Sequence, residues 1–149
     1  MAGRAFPAWT AVAALLAACA AIDASVPGVR VDGDGISAPL EGLTGDAARG
    51  RSLIVARDPA NCVLCHAVPD AAAGVAGNLG PSLEGVGRRL TVAELRLRVV
   101  DQQRINAQTV MPSYFRVAGL SNVAPEYRGR TVLSAQAVED IVAWLATLK

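Results

Sequence analysis

The pattern of apolar and polar positions is clearest near the end of the chain, where it repeats with the period of a helix. Ser134 is a natural N-cap, so the final helix is predicted to begin directly after it. Glu139 and Asp140 follow early in the helix, where negative charge favours the N-terminal end of the helix dipole. The apolar stripe predicted to face the core consists of Val138, Ile141, Val142, Leu145 and Leu148.

A first helix is predicted from Gly45 or Asp46 to about Arg57, because Asp46 suits a helix N-terminus and Pro59 stops the helix. Gly50 lies within this helix. A glycine there either allows a second helix to approach closely or is incidental.

A further helix is predicted to start at Thr91, where Thr91 and Glu94 have the spacing of a capping box. Its apolar face contains Val92, Leu95 and Val99. The arginines on the outward side are predicted to form a solvated face, with a docking patch as the alternative; they are Arg96, Arg98 and Arg104.

The remaining segments lack helical or strand periodicity. The N-terminal arm is assigned to residues 25–44, and residues 29–43 within it are rich in Gly, Asp and Pro. This composition indicates either a small hairpin at Asp32–Gly35 or an irregular arm packed on the domain. Residues 105–130 are predicted to be largely irregular. The pattern therefore predicts an all-α domain over residues 45–149, preceded by the N-terminal arm.

Residues 1–24 have the pattern of an export signal. Arg4 precedes a short apolar run, and the triplet at residues 18–20 fits a cleavage site between small residues. In a second interpretation Cys19 is the lipidated first residue of a bacterial lipoprotein; otherwise it is discarded with the leader. Both interpretations predict a periplasmic protein, attached to a membrane only if Cys19 is lipidated.

The charge balance excludes some classes of partner. The 149 residues carry a formal net charge of +1 and one lysine. This balance argues against a nucleic-acid-binding protein. It also differs from the lysine-rich face of a carrier that is steered by charge to many acidic partners.

Candidate chemistry is concentrated in the C-x-x-C-H pattern formed by Cys62, Cys65 and His66. This spacing is typical of c-type haem attachment, in which two thiols form thioether bonds to the porphyrin vinyl groups and the histidine binds the iron. After it, Gly80 and Pro81 place a free carbonyl where a proximal histidine can donate its other ring N–H. The alternatives are a redox dithiol and part of a zinc site.

Met111 is the one methionine beyond Met1, and it is therefore the candidate for the distal iron ligand. Pro112 would stiffen its loop; the alternative is a methionine that fills a gap in the core. Ligation by histidine and methionine raises the reduction potential and leaves no open site for substrate, which favours electron transfer. Tyr114 and Phe115 close by either belong to the core or face a partner.

The order of these features resembles a class I cytochrome c, with short helices packed around one covalently bound haem. More narrowly, the chain is similar to the SoxX family, the monohaem subunits of SoxAX thiosulfate-oxidising complexes. The similar segments are residues 45–51, 61–66, 80–83, 109–114 and 133–145.

The resemblance implies a non-catalytic, electron-accepting subunit with Cys62 and Cys65 as thioether sites and His66 and Met111 as axial ligands. It implies a heterodimer with a SoxA-like cytochrome, action on a SoxYZ-like sulfur-carrier protein, and a soluble cytochrome as electron acceptor. A free periplasmic carrier that serves an oxidase is one alternative function. A peroxidase-like haem enzyme with a displaceable Met111 is another.

Overall fold

The computed structural model describes Val26 and residues 28–149, and this part of the chain is helical with irregular connections. The predicted export signal, including Cys19, lies outside these residues. No helix in the described part is long and apolar enough to cross a membrane. The helices are α1 (Ala47–Val55), α2 (Val86–Arg89), α3 (Val92–Asp101) and α4 (Ala135–Thr147). Short 3-10 turns occur at Leu40–Gly42, Cys62–Leu64, Ala71–Ala73, Gln102–Arg104 and Pro125–Tyr127.

Helix α1 begins where the sequence predicts and ends slightly earlier. The Asp46 side chain is the N-cap and accepts a hydrogen bond of 2.8 Å from the Arg49 backbone N–H. The helix ends at Val55, not at Arg57, because the backbone becomes extended at Ala56.

Helices α1 and α4 cross in direct backbone contact. A Cβ atom on Gly50 would lie 1.9 Å from the carbonyl oxygen of Asp140, and one on Gly45 would lie 2.1 Å from that of Glu139. No side chain fits at either position, so glycine permits this crossing. The prediction that Gly50 allows close helix approach is confirmed.

Helix α4 has the predicted cap and apolar stripe, but its acidic residues have a different role. The Ser134 hydroxyl accepts a hydrogen bond of 3.1 Å from the Ala137 backbone N–H. Glu139 and Asp140 lie beyond the first turn and are buried, at 3% and 2% exposure. They form ion pairs with Arg96 and Arg49, so the prediction that they serve the helix dipole is wrong.

Helix α3 has the predicted capping box between Thr91 and Glu94, but its buried face is rotated from the prediction. Arg96 is 5% exposed, whereas Val92 is 48% exposed. The prediction that Arg96 lies on a solvated face is therefore wrong. Both α4 and the N-terminal arm cover this part of α3, and Glu139 supplies the partner that makes a buried guanidinium tolerable.

Residues 28–44 form an irregular arm packed on α3 and α4. The Ile36 N–H donates to the Ala93 carbonyl at 3.0 Å, and the Leu40 N–H donates to Glu139 Oε1 at 2.9 Å. Arg96 Nη1 donates to the Ile36 carbonyl at 2.6 Å. Asp32 and Gly35 form a single isolated bridge, so the structure favours the packed arm over a hairpin.

Candidate functional site

The C-x-x-C-H segment forms one tight turn on the wall of a cavity. Asn61 takes a left-handed conformation at φ 47°, and a 3-10 turn follows over Cys62–Leu64. The Cys62 carbonyl accepts hydrogen bonds from the backbone N–H groups of Cys65 and His66, at 3.2 and 3.0 Å. The turn brings both thiols and the imidazole to the same cavity wall.

His66 is oriented by the loop that follows it. Its Nδ1 lies 2.7 Å from the Pro81 carbonyl oxygen. A carbonyl can only accept, so Nδ1 carries the proton and Nε2 keeps the lone pair that a metal needs. The predicted acceptor role of Pro81 is confirmed.

Gly80 lies so close to the imidazole that no larger residue fits. A Cβ atom at this position would be 2.4 Å from His66 Cε1. The Gly80 N–H also donates to the Cys65 carbonyl at 2.8 Å, and the Gly77 N–H donates to the Val63 carbonyl at 2.8 Å. The loop therefore holds the C-x-x-C-H turn and the histidine ring together.

Met111 lines the same cavity as Cys62, Cys65 and His66. Its side chain is partly buried and also packs on the hydrophobic core. The Met111 N–H donates to Thr109 Oγ1 at 3.2 Å. All four residues predicted from the sequence therefore come together in space, although 45 positions separate Met111 from His66 in the chain (111 − 66).

The cavity has a volume of about 490 Å³ and is lined mostly by apolar side chains, which come from α1, α3 and α4 and from the loops between the helices. Ile54, Leu95 and Ile141 are among these side chains, and each is at most 2% exposed. A covalent haem fits this arrangement, because a large apolar cavity presents two thiols, an oriented imidazole and a thioether.

Burial raises the pKa of Cys62 to about 11, and the neighbouring Cys65 adds to this shift. Cys62 is therefore a protonated thiol at neutral pH. A reactive redox dithiol needs a thiolate, and such sites lower the pKa of the cysteine instead. Among the described residues, no three His, Cys, Asp or Glu side chains gather as a metal site. These observations favour the thioether interpretation.

Tyr114 and Phe115 belong to the core, at 8% and 6% exposure. The Tyr114 hydroxyl donates to the Ala60 carbonyl at 2.9 Å, and burial raises the pKa of this phenol well above its usual value. The two aromatic rings are therefore not available as a partner surface, contrary to that interpretation of the sequence.

Sequence reasoning missed two contributions to the site. Arg98, which was predicted to face solvent, lines the cavity and is only partly exposed. Gly80 contacts the imidazole, and its position next to Pro81 was the available signal. Arg98 gave no such signal, because an arginine on an amphipathic helix ordinarily indicates the solvated side.

Comparisons with known proteins identify the family of the chain. The cytochrome c family matches residues 47–149 of the chain. No curated protein matches the chain in sequence. The crystal structure of SoxXA from P. pantotrophus contains a chain that is 32% identical, with a TM-score of 0.72; the match covers 81% of this chain and 94% of that one. The protein therefore belongs to the cytochrome c family and is a cytochrome of the SoxX type.

Proposed function

We propose that this chain is a periplasmic, monohaem electron-transfer subunit of a SoxAX-type complex. It would accept electrons when thiosulfate is coupled oxidatively to a SoxYZ-like sulfur-carrier protein, and would pass them to a soluble cytochrome. The observation that carries this proposal is the gathering of Cys62, Cys65, His66 and Met111 around one apolar cavity.

All four residues would take part in holding the haem. Cys62 and Cys65 would hold one haem by thioether bonds, while His66 Nε2 and the Met111 sulfur would bind its iron. When bound, a haem supplies one-electron redox chemistry between the ferrous and ferric states. With His66 and Met111 both binding the iron, no coordination position would be left for thiosulfate. The apolar lining would keep water away from the haem and favour its less charged, reduced state.

The partner assignment is supported by the likeness to a chain of SoxXA. Two exposed apolar side chains lie where the cavity meets solvent: Leu79 is 70% exposed and Val110 is 74% exposed. Exposed apolar side chains at a functional site favour cover by a protein partner. We therefore place the contact with a SoxA-like cytochrome at this rim.

Export to the periplasm follows from the signal-like pattern of residues 1–24. If Cys19 is lipidated, the mature chain is attached to a membrane surface by its N-terminus. If the leader is cleaved after Ala20, the chain is released.

Size-exclusion chromatography of the haem-loaded chain with a purified SoxA-type cytochrome tests the proposal. We expect one heterodimer peak, and thiosulfate-dependent reduction of an acceptor cytochrome only when both subunits and a sulfur-carrier protein are present. Val110→Asp should weaken the heterodimer, because it places a charge at the proposed apolar contact.

Val92→Asp is the matched control, since Val92 is also an exposed valine but does not line the cavity. This variant should bind the partner like the wild type. A wild-type chain that elutes alone and still reduces an oxidase-linked acceptor would contradict the proposal and favour a free carrier. Activity toward peroxide without any partner would favour a peroxidase-like enzyme.

A further inference from the structure

The loop that carries Met111 has no regular secondary structure of its own at that residue. The backbone hydrogen bond of Met111 is to Thr109, a residue of the same loop. A thioether is a weak ligand, so its contact with iron depends on how firmly the surrounding protein holds the loop. The residues directly after Met111 show what holds it.

Asp101 is the last residue of α3, and its side chain is fully buried. The Ser113 hydroxyl donates to Asp101 Oδ1, and Arg116 Nη1 donates to Oδ2 at 3.1 Å. The Gln103 N–H also donates to Oδ1, at 3.3 Å. One carboxylate therefore joins the end of α3 to two positions just beyond Met111.

Arg116 makes further contacts beside the Asp101 carboxylate. Its Nη2 donates to Gln103 Oε1 and, at 3.4 Å, to the Gly119 carbonyl, while its Nε is buried without a partner in the described structure. The guanidinium thus depends on Asp101 for its charge balance. Loss of the carboxylate would leave a largely buried cation unpaired and would free both Ser113 and Arg116 from the end of α3.

The backbone between Ser113 and Arg116 is fixed as well. The Phe115 N–H donates to the Val100 carbonyl at 3.2 Å, and the Tyr114 carbonyl accepts from Val132 and Leu133, at 2.9 and 3.0 Å. Only Pro112 separates this anchored segment from Met111. Because proline fixes its own φ, the position of Ser113 restricts where Met111 can lie.

We propose that Asp101 is a positioning residue for Met111: through Ser113 and Arg116, its buried carboxylate holds the distal sulfur at the haem cavity. Because this rests on the proposed assignment of Met111 as the distal ligand, the test includes a variant of Met111 itself. The readout is the competition between added imidazole and the Met111 sulfur for the iron. This competition would not change if Asp101 only stabilised the fold.

The experiment measures imidazole binding to the ferric, haem-loaded chain by its visible spectrum, with thermal unfolding recorded in parallel. Imidazole must displace the sulfur, so a looser loop gives tighter binding. Ser113→Ala should tighten imidazole binding by about tenfold or more, the equivalent of one hydrogen bond to a charged group. Asp101→Asn should tighten it more. If Asp101→Asn fails to fold, Ser113→Ala decides the question alone.

Asp140→Asn is the matched control for a buried aspartate, because the Asp140 carboxylate accepts its hydrogen bonds from Asp46, Arg49 and Gln136 and not from the Met111 loop. It should lower the unfolding temperature and leave imidazole binding unchanged. Ser52→Ala, which removes an exposed hydroxyl of α1, should change neither quantity.

Met111→Ala distinguishes a failure of the ligand assignment of Met111 from a failure of the role proposed for Asp101. Imidazole binding that is no tighter in Met111→Ala than in the wild type would overturn the assignment of Met111 as ligand, and the role of Asp101 with it. Tighter binding in Met111→Ala together with unchanged binding in Ser113→Ala and in folded Asp101→Asn would overturn the role of Asp101 alone.

Discussion

Contacts that lie close along the chain select which nitrogen of His66 would bind iron. Pro81 accepts from Nδ1 at 2.7 Å, and Gly80 lies against the ring. The haem-attachment role of the C-x-x-C-H segment and the acceptor role of Pro81 could both be predicted from the sequence, because each depends on residues that are close together in the chain. The Asp101–Ser113 contact was not predictable, because nothing in the sequence indicates which buried carboxylate meets which loop.

At the scale of single residues, Met111→Ala tests whether Met111 is the distal iron ligand and whether it sets the reduction potential. Methionine ligation favours the ferrous iron, so its loss should lower the reduction potential of the haem-loaded protein and remove the ferric sulfur-to-iron charge-transfer band. Potentiometric titration followed by visible spectroscopy measures both. An unchanged band and potential would assign the distal position to another group.

Helix packing depends on the backbone contact between α1 and α4. Gly45 and Gly50 allow α1 to lie against the carbonyl groups of Glu139 and Asp140. The apolar stripe of α4 was predictable from its period, whereas the burial of these two acidic residues was not. A helix covered on several sides buries polar positions too, and a single sequence does not show which neighbours supply the partners.

Gly50→Ala should destabilise the fold strongly, because the added methyl group would lie 1.9 Å from the Asp140 carbonyl oxygen. Overpacking against backbone leaves no side chain to yield, so we expect a loss of about 3 kcal/mol in the free energy of unfolding, at the upper end for overpacking. Urea denaturation measures this loss. Ser52→Ala on the exposed side of the same helix is the control, and similar stability of the two variants would refute the tight crossing.

The ion pair between Asp140 and Arg49 predicts a dependence of stability on pH. The Arg49 side-chain hydrogen bond, together with the backbone N–H of Asp46, holds the pKa of Asp140 below its usual value. The stabilisation is therefore fully present above the unfolded pKa of about 3.9 and is lost as pH falls through the lower, folded value.

Asp140→Asn should therefore cost stability at about pH 6, and the cost should shrink below about pH 4. Urea denaturation of both proteins across this range gives the difference. Glu126→Gln, at an exposed carboxylate, should change little at any pH. A difference that grows toward acid would contradict the lowered pKa of Asp140.

On the scale of the whole molecule, the fold encloses an apolar cavity and brings Cys62, Cys65, His66 and Met111 to its wall. The family resemblance and the order of the elements predicted the all-α cytochrome fold, which the structure and the comparisons confirm. The packing of the arm was left open by the sequence, because Val29, Ile36 and Leu40 are buried without any regular period. Long-range contacts with Ala93 and Glu139 decide it.

Intact-mass measurement of the exported protein tests the central claim, a single haem held covalently by Cys62 and Cys65. A thiol adds across a vinyl group without losing atoms, so the account predicts the mass of the mature chain plus one haem after extraction with acidified organic solvent. A variant with both cysteines changed to serine should show the bare chain. A wild-type mass equal to the bare chain, or one increased by two haems, would contradict the account.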